Sequence, residues 1–84
     1  MVKFIYTVRD TKSGFNSPLF LADYDELAIR DFRTIVNTPG SLLNQYPEDF
    51  ELYCVGNIET KDGTIDGSCF KQICKGFEVV NKEK

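Results

Sequence analysis

Three features of the sequence predict an α+β domain of order β-β-α-β-β, one helix packed on a four- to five-stranded, mostly antiparallel sheet. Two segments, Val2 to Arg9 and Phe50 to Glu59, alternate apolar and polar residues at the period of a half-buried strand. Between them, Ala28, Phe32, Ile35 and Val36 recur at helical spacing. One helix laid on one face of a sheet buries both apolar stripes. A β-grasp arrangement, with the first and a later strand parallel in the centre, is the rival topology.

The first strand sends Val2, Phe4, Tyr6 and Val8 one way and Lys3, Ile5, Thr7 and Arg9 the other. Asp10 to Gly14 is polar, contains Ser13-Gly14, and reads as a turn. Phe15 to Leu21 is a weaker edge strand, because Pro18 has no N–H to donate to a ladder. Asp23 then reads as a helix N-cap, with Glu26 three residues on completing a capping box and Asp25 complementing the macrodipole. Leu27 and Ile29 widen the apolar stripe, and Arg30 and Arg33 flank it. Thr38, before Pro39, is pushed out of the α region and ends the helix. Ser41 to Tyr46 forms one further helical turn, capped by Ser41 and stopped before Pro47. Asp62-Gly63 is a hairpin signal after the long strand. Ile65 to Ile73 is the returning strand, Phe77 to Val80 a short final one, and Asn81 to Lys84 a frayed polar tail.

A chain of 84 residues makes one domain, here 1–80, with a small core that oligomerisation would reinforce. At 42% hydrophobic and 27% charged residues it falls in the ordinary globular range. No apolar run approaches the roughly 20 residues of a membrane span, and no secretory h-region follows Lys3. Cys54, Cys69 and Cys74 are an odd number, which fits a reducing cytosol better than a disulfide framework. With no His, they are too few for a four-ligand zinc site, and they read as buried small hydrophobes.

Catalysis has little to rest on. There is no His base, no recognisable nucleophile motif and no phosphate-binding glycine loop. Glu48-Asp49 and Asp23-Asp25-Glu26 could be pictured around Mg²⁺, but caps and solvated turns explain them better. The expectation is a non-enzyme with no cofactor and no metal.

Charge is unevenly spread. The net charge of −3 argues against simple nucleic-acid binding. Residues 1–22 nevertheless carry Lys3, Arg9 and Lys12 against Asp10, a balance of +2. Residues 23–66 carry ten acidic and three basic groups, a balance of −7. Residues 67–84 carry Lys71, Lys75, Lys82 and Lys84 against Glu78 and Glu83, again +2. If the fold joins the ends, an acidic protein gains a basic face. Lys3, Arg9, Lys12, Lys71 and Lys75 are therefore the candidate nucleic-acid contacts, with Tyr6, Phe15 and Phe70 as possible base-stacking groups. Equally, these aromatics are core and the lysines merely solubilise the chain; the residues alone favour that plainer reading.

A resemblance shifts the balance. The succession Arg9-Asp10, Lys12, Phe15, Pro18-Leu19-Phe20, Ala28-Ile29-Arg30-Asp31-Phe32, Val36-Asn37 and Tyr46-Pro47-Glu48-Asp49-Phe50-Glu51-Leu52-Tyr53-Cys54-Val55-Gly56 resembles the small nonstructural protein of gokushovirus-type microviruses. These are phages with single-stranded DNA genomes. The resemblance covers residues 3 to about 63, and Gly56-Asn57-Ile58-Glu59 departs from the Gly-x-Phe-Asp of that family. It implies a non-catalytic protein in the host bacterial cytoplasm that binds single-stranded DNA during genome synthesis or packaging, a role parallel to protein C of the bullaviruses. A homodimer or higher oligomer and a viral or host replication protein are the expected partners, with no membrane. The alternative is a module that binds a viral or host protein without touching DNA.

Overall fold

A computed structural model of the chain describes residues 1–68 and 70–81. Cys69 and the tail beyond Asn81 lie outside the described residues. The ordered elements are β1 (Val2–Asp10), β2 (Phe20–Ala22), α1 (Asp25–Val36), α2 (Leu42–Gln45), β3 (Phe50–Glu59), β4 (Ile65–Asp66) and β5 (Lys71–Lys75), with 3-10 turns at Pro47–Asp49 and Gly76–Val79. The strands form one five-stranded sheet in the order β2-β1-β3, and β4 and β5 share the far edge of β3. Every pairing is antiparallel. The α+β fold stands, and the β-grasp rival does not, because β1 and β3 run in opposite directions.

Alternation in β1 and β3 works as the pattern predicts on the helix side. Tyr6, Phe50, Leu52 and Cys54 from the sheet meet Ala28, Phe32 and Val36 from α1, with Ala22 and Val79 closing the core. Tyr6 is the largest fully buried side chain. Its hydroxyl donates to Asp25 Oδ1 at 2.5 Å, which satisfies the one polar atom it carries inward. Burial first, and then Asp25, drives its phenol pKa well above the usual value.

Four expectations change. The N-cap of α1 is Tyr24, without a side-chain cap, and Asp23 instead pairs with Lys3. Asp23 is held at the sheet edge, so the cap moves one residue on and the helix starts at Asp25. The edge strand shortens to Phe20–Ala22, preceded by a single bridge between Arg9 and Asn16. Between them Pro18 lacks an N–H, and the Ser17 hydroxyl accepts the Val8 N–H at 3.0 Å in place of a ladder partner. The return from β3 splits into β4 and β5, because the segment 67–70 is longer than the stretch of β3 it passes. The last expected strand is a 3-10 turn: Glu78 Oε1 accepts the Lys75 N–H at 2.7 Å, and Val79 drops into the core. Asn37, just past α1, fixes it by donating to Val79 O at 3.0 Å and accepting from Asn81 N at 2.7 Å.

The hairpin after β3 forms, but as a longer loop than Asp62-Gly63 alone suggests. Gly63 N donates to Glu59 O at 2.7 Å, and Glu59 N to Thr64 O at 2.8 Å. Gly63 supplies the positive φ, 79°, while no other residue type among those described adopts one. A two-residue type I′ turn would have required it of Asp62 as well. The further turn Leu42–Gln45 is capped by Ser41, whose hydroxyl accepts from Asn44 N at 3.0 Å.

Turn carboxylates give the fold an acid limit. Desolvation acts to raise the Asp10 carboxyl, but the N–H groups of Lys12 and Ser13 outweigh it and hold its pKa below the ordinary value. Thr64 does the same for Asp62, and Ser68 for Asp66. A carboxylate with a depressed folded pKa adds stability that is complete above its unfolded pKa and is lost as pH falls through the folded one. Thermal midpoints are therefore expected to hold down to about pH 5 and to fall below about pH 4. A midpoint unchanged between these conditions and pH 3 would show that the turns contribute nothing.

Candidate nucleic-acid interface

Side chains paired across neighbouring strands share a face, so register assigns each candidate. One face lies under α1. On the open face, Arg9, Glu51 and Lys75 form a row across β1, β3 and β5. The next row is Thr7, Tyr53 and Gln72. Tyr53 carries Phe70 at 5.3 Å between ring centroids, tilted by 36°. The Tyr53 hydroxyl donates to Glu51 Oε1 at 3.1 Å and accepts from Gln72 Nε2 at 3.3 Å, which fixes the ring. Phe70 is 63% exposed, so one aromatic of the pair is presented to solvent.

The five cations do not form one patch. Arg9 and Lys75 share one row but lie two strands apart with Glu51 between them, and Lys75 Nζ sits 5.9 Å from the Phe77 ring centroid. Lys12 follows in the turn beyond Arg9, exposed and without an ion pair among the described residues. Lys3 shares the open face but lies at the other end of β1, roughly 20 Å from Arg9 at strand rise. It is tied to Asp23 at 2.5 Å. Lys71 sits opposite Cys54, on the helix side, with Nζ 3.4 Å from Asp25 Oδ2. These two belong to local ion pairs and not to a shared patch. Asp10 makes no ion pair with the helix; its Oδ1 accepts the Lys12 N–H at 3.0 Å within the turn. Among the described residues Arg30 has one loose ion-pair partner, Asp31, at 4.0 Å.

Of the three proposed stacking groups, only Phe70 lies on the open face. Tyr6 is fully buried, stacked on Phe20 with centroids 5.7 Å apart, and is closed to any base. Phe15 is 75% exposed, but it lines a separate apolar groove of about 450 Å³ with Val8, Phe20, Ile35, Leu43 and Phe50. Tyr53 was missed as a stacking residue, although its alternation with Leu52 and Cys54 already placed it on the uncovered side. On the open face, beside the Arg9–Asn16 bridge, lies a cleft of about 200 Å³ lined by Thr7, Arg9, Asn16, Tyr53, Val55 and Phe70.

The two described thiols, Cys54 and Cys74, offer no reactive centre. Cys54 is buried, and burial, with Glu78 adding to it, pushes the half-buried Cys74 thiol up to about 11. It stays protonated near neutral pH. Among the described residues no group of three or more Cys, Asp or Glu is placed to hold a metal ion. No helix of the described residues is long and apolar enough to cross a membrane.

The sequence matches the phage family described as "Phage ORF5 protein" over residues 3–79. The chain belongs to that family. The match takes in both rows of the open face, Phe70 and the turn that carries Lys12. No curated protein and no solved structure matches the chain. Membership in the Phage ORF5 family makes this a phage protein, and the chemistry of its surface is what bears on its role.

Proposed function

We propose that this Phage ORF5 family member is a non-catalytic, nonstructural protein of gokushovirus-type microviruses that binds single-stranded DNA in the host bacterial cytoplasm during genome replication or packaging. The observation that carries the reading is the open sheet face, where Tyr53 and Phe70 stand beside Arg9 and Lys75. Aromatic stacking on single strands is worth about 1–3 kcal/mol per base and tolerates any sequence. The phosphate term is smaller. Two or three cations give a log–log salt slope of about −1.4 to −2.1, a loss of only about 7- to 20-fold between 50 and 200 mM salt. Glu51, between Arg9 and Lys75, weakens it further. Binding is thus weak, stacking-led and selective for unpaired strands.

Fluorescence anisotropy with labelled single- and double-stranded oligonucleotides tests this. The expected result is measurable affinity for the single strand and less for the duplex. Undetectable binding to both at low salt would remove the reading.

A second reading, an interaction module for a viral or host protein, is favoured by the groove around Phe15, Ile35 and Leu43. Pull-down after nuclease treatment separates the two: one stoichiometric protein partner supports the module, and loss of every partner with nuclease supports DNA binding. A homodimer accompanies either reading, joined through the outer edge of β2, which is unpaired among the described residues and leaves the open face free. Duplicated faces would add avidity on a long strand. Light scattering is expected to give twice the 9.6 kDa chain mass, and the monomer mass at high concentration would contradict it.

A further inference from the structure

The cleft beside the Arg9–Asn16 bridge has a composition more particular than a general stacking surface. Its volume, about 200 Å³, is below the range of about 300–1,000 Å³ usual for drug-sized ligands and suits one planar base. One wall is aromatic, from Tyr53 and Phe70. The other is donor-rich. Arg9 spends one donor on Gly14 O at a long 3.3 Å, so most of its five N–H groups remain available. Asn16 pairs with Arg9 across the bridge to β1, which sets the two side chains next to each other at the rim. The Asn16 amide makes no hydrogen bond with the other described residues and is exposed. The Thr7 hydroxyl is already engaged with Ser17 O at 2.9 Å, so it contributes shape and not recognition. Among the described residues no carboxylate lines the cleft; the nearest on this face, Glu51 opposite Arg9, is engaged by the Tyr53 hydroxyl at 3.1 Å.

We propose that this cleft holds one base of the bound strand and prefers guanine. Guanine presents two adjacent acceptors, O6 and N7, which match the forked donors of Arg9. Its N1–H and N2–H₂ donors find an acceptor in the Asn16 amide oxygen. Adenine offers a donor where Arg9 needs a second acceptor, and the pyrimidines have less surface to lay on Tyr53 and Phe70. The inference rests on the single-strand reading above and adds a base preference at one position of an otherwise sequence-tolerant site.

The test uses four fluorescein-labelled oligonucleotides: a thymidine 12-mer, and the same strand with one central dG, dA or dC. Anisotropy titrations are expected to show the dG strand bound about five- to tenfold more tightly than the others, the low end of what one bidentate pair discriminates. Arg9→Lys, which keeps the charge and loses the fork, and Asn16→Ala, at an exposed loop position, should each bring the dG-strand and thymidine-strand affinities of that same variant to within about twofold of each other. Equal affinity for all four strands would overturn the base preference and leave single-strand binding standing. Absence of binding to all four would overturn both. A dG preference that survives in both variants would place the recognition elsewhere.

Discussion

Alanine at Gly76 is expected to cost about 2–3 kcal/mol, the upper part of the overpacking range, and to lower the thermal midpoint by of order 10–20 °C. A Cβ there would lie 2.3 Å from Pro47 O, 3.1 Å from Pro47 C and 3.3 Å from Phe50 O, all backbone atoms. That backbone cannot easily retreat. Asp49 O accepts from both the N–H and the hydroxyl of Thr11 at 2.9 Å, which pins the 47–49 turn from the other side. The 76–79 turn must move instead, drawing Val79 out of the core. Gly67→Ala is the control. Its Cβ would meet only Val55 O at an ordinary 3.6 Å, so a change under about 1 kcal/mol is expected. Chemical denaturation of the two variants measures both; equal midpoints would contradict the close approach at Gly76.

The largest effect on binding should come from reversing Arg9 and Lys75 together to Glu. The row would change from two cations around Glu51 to three carboxylates on the face that carries Tyr53 and Phe70. Single-strand affinity is expected to fall at least tenfold, and the log–log salt slope to flatten by about 1.4, two contacts at about 0.7 each. Arg30 and Arg33, on the opposite side of the fold, are the comparison; their reversal should leave affinity within about twofold. The same anisotropy titration over a salt series reads both pairs. If the helix pair abolished binding and the Arg9 and Lys75 pair did not, the interface would lie on α1.

The residues that set the fold were legible wherever a period was long. Alternation over Val2–Asp10 and Phe50–Glu59, and the Ala28–Phe32–Val36 stripe, place the three elements that build the core. The short elements were not, because they are decided by contacts distant in sequence. Phe77 to Val80 has the composition of a strand, yet Asn37 and the Pro47–Phe50 backbone bend it into a 3-10 turn. Asp23 has the chemistry of a cap, but Lys3 lies across the sheet edge from it.

The site was half legible for the same reason. Charge partition found Arg9 and Lys75, which the β1–β3–β5 register joins. It could not show that Lys71 turns towards Asp25, or that Phe15 belongs to a groove on the helix side. Nor could it show the bulge at Val55, where β1 steps from Cys54 to Gly56. Gly56 itself admits the neighbouring backbone, with Asp66 O only 2.4 Å from where a Cβ would stand. Tyr6 illustrates the limit most directly: its alternation with Val8 and Phe4 marks it as inward, and an inward tyrosine cannot also be a stacking platform.

The measurement that most directly tests the account is a titration of ¹⁵N-labelled protein with a single-stranded 12-mer, followed by amide chemical shifts. Open-face binding predicts that the shifts concentrate at Arg9, Asn16, Tyr53, Val55, Phe70, Gln72 and Lys75, with α1 and the Phe15 groove unmoved. Shifts confined to Phe15, Ile35 and Leu43, or none at saturating oligonucleotide, would contradict it.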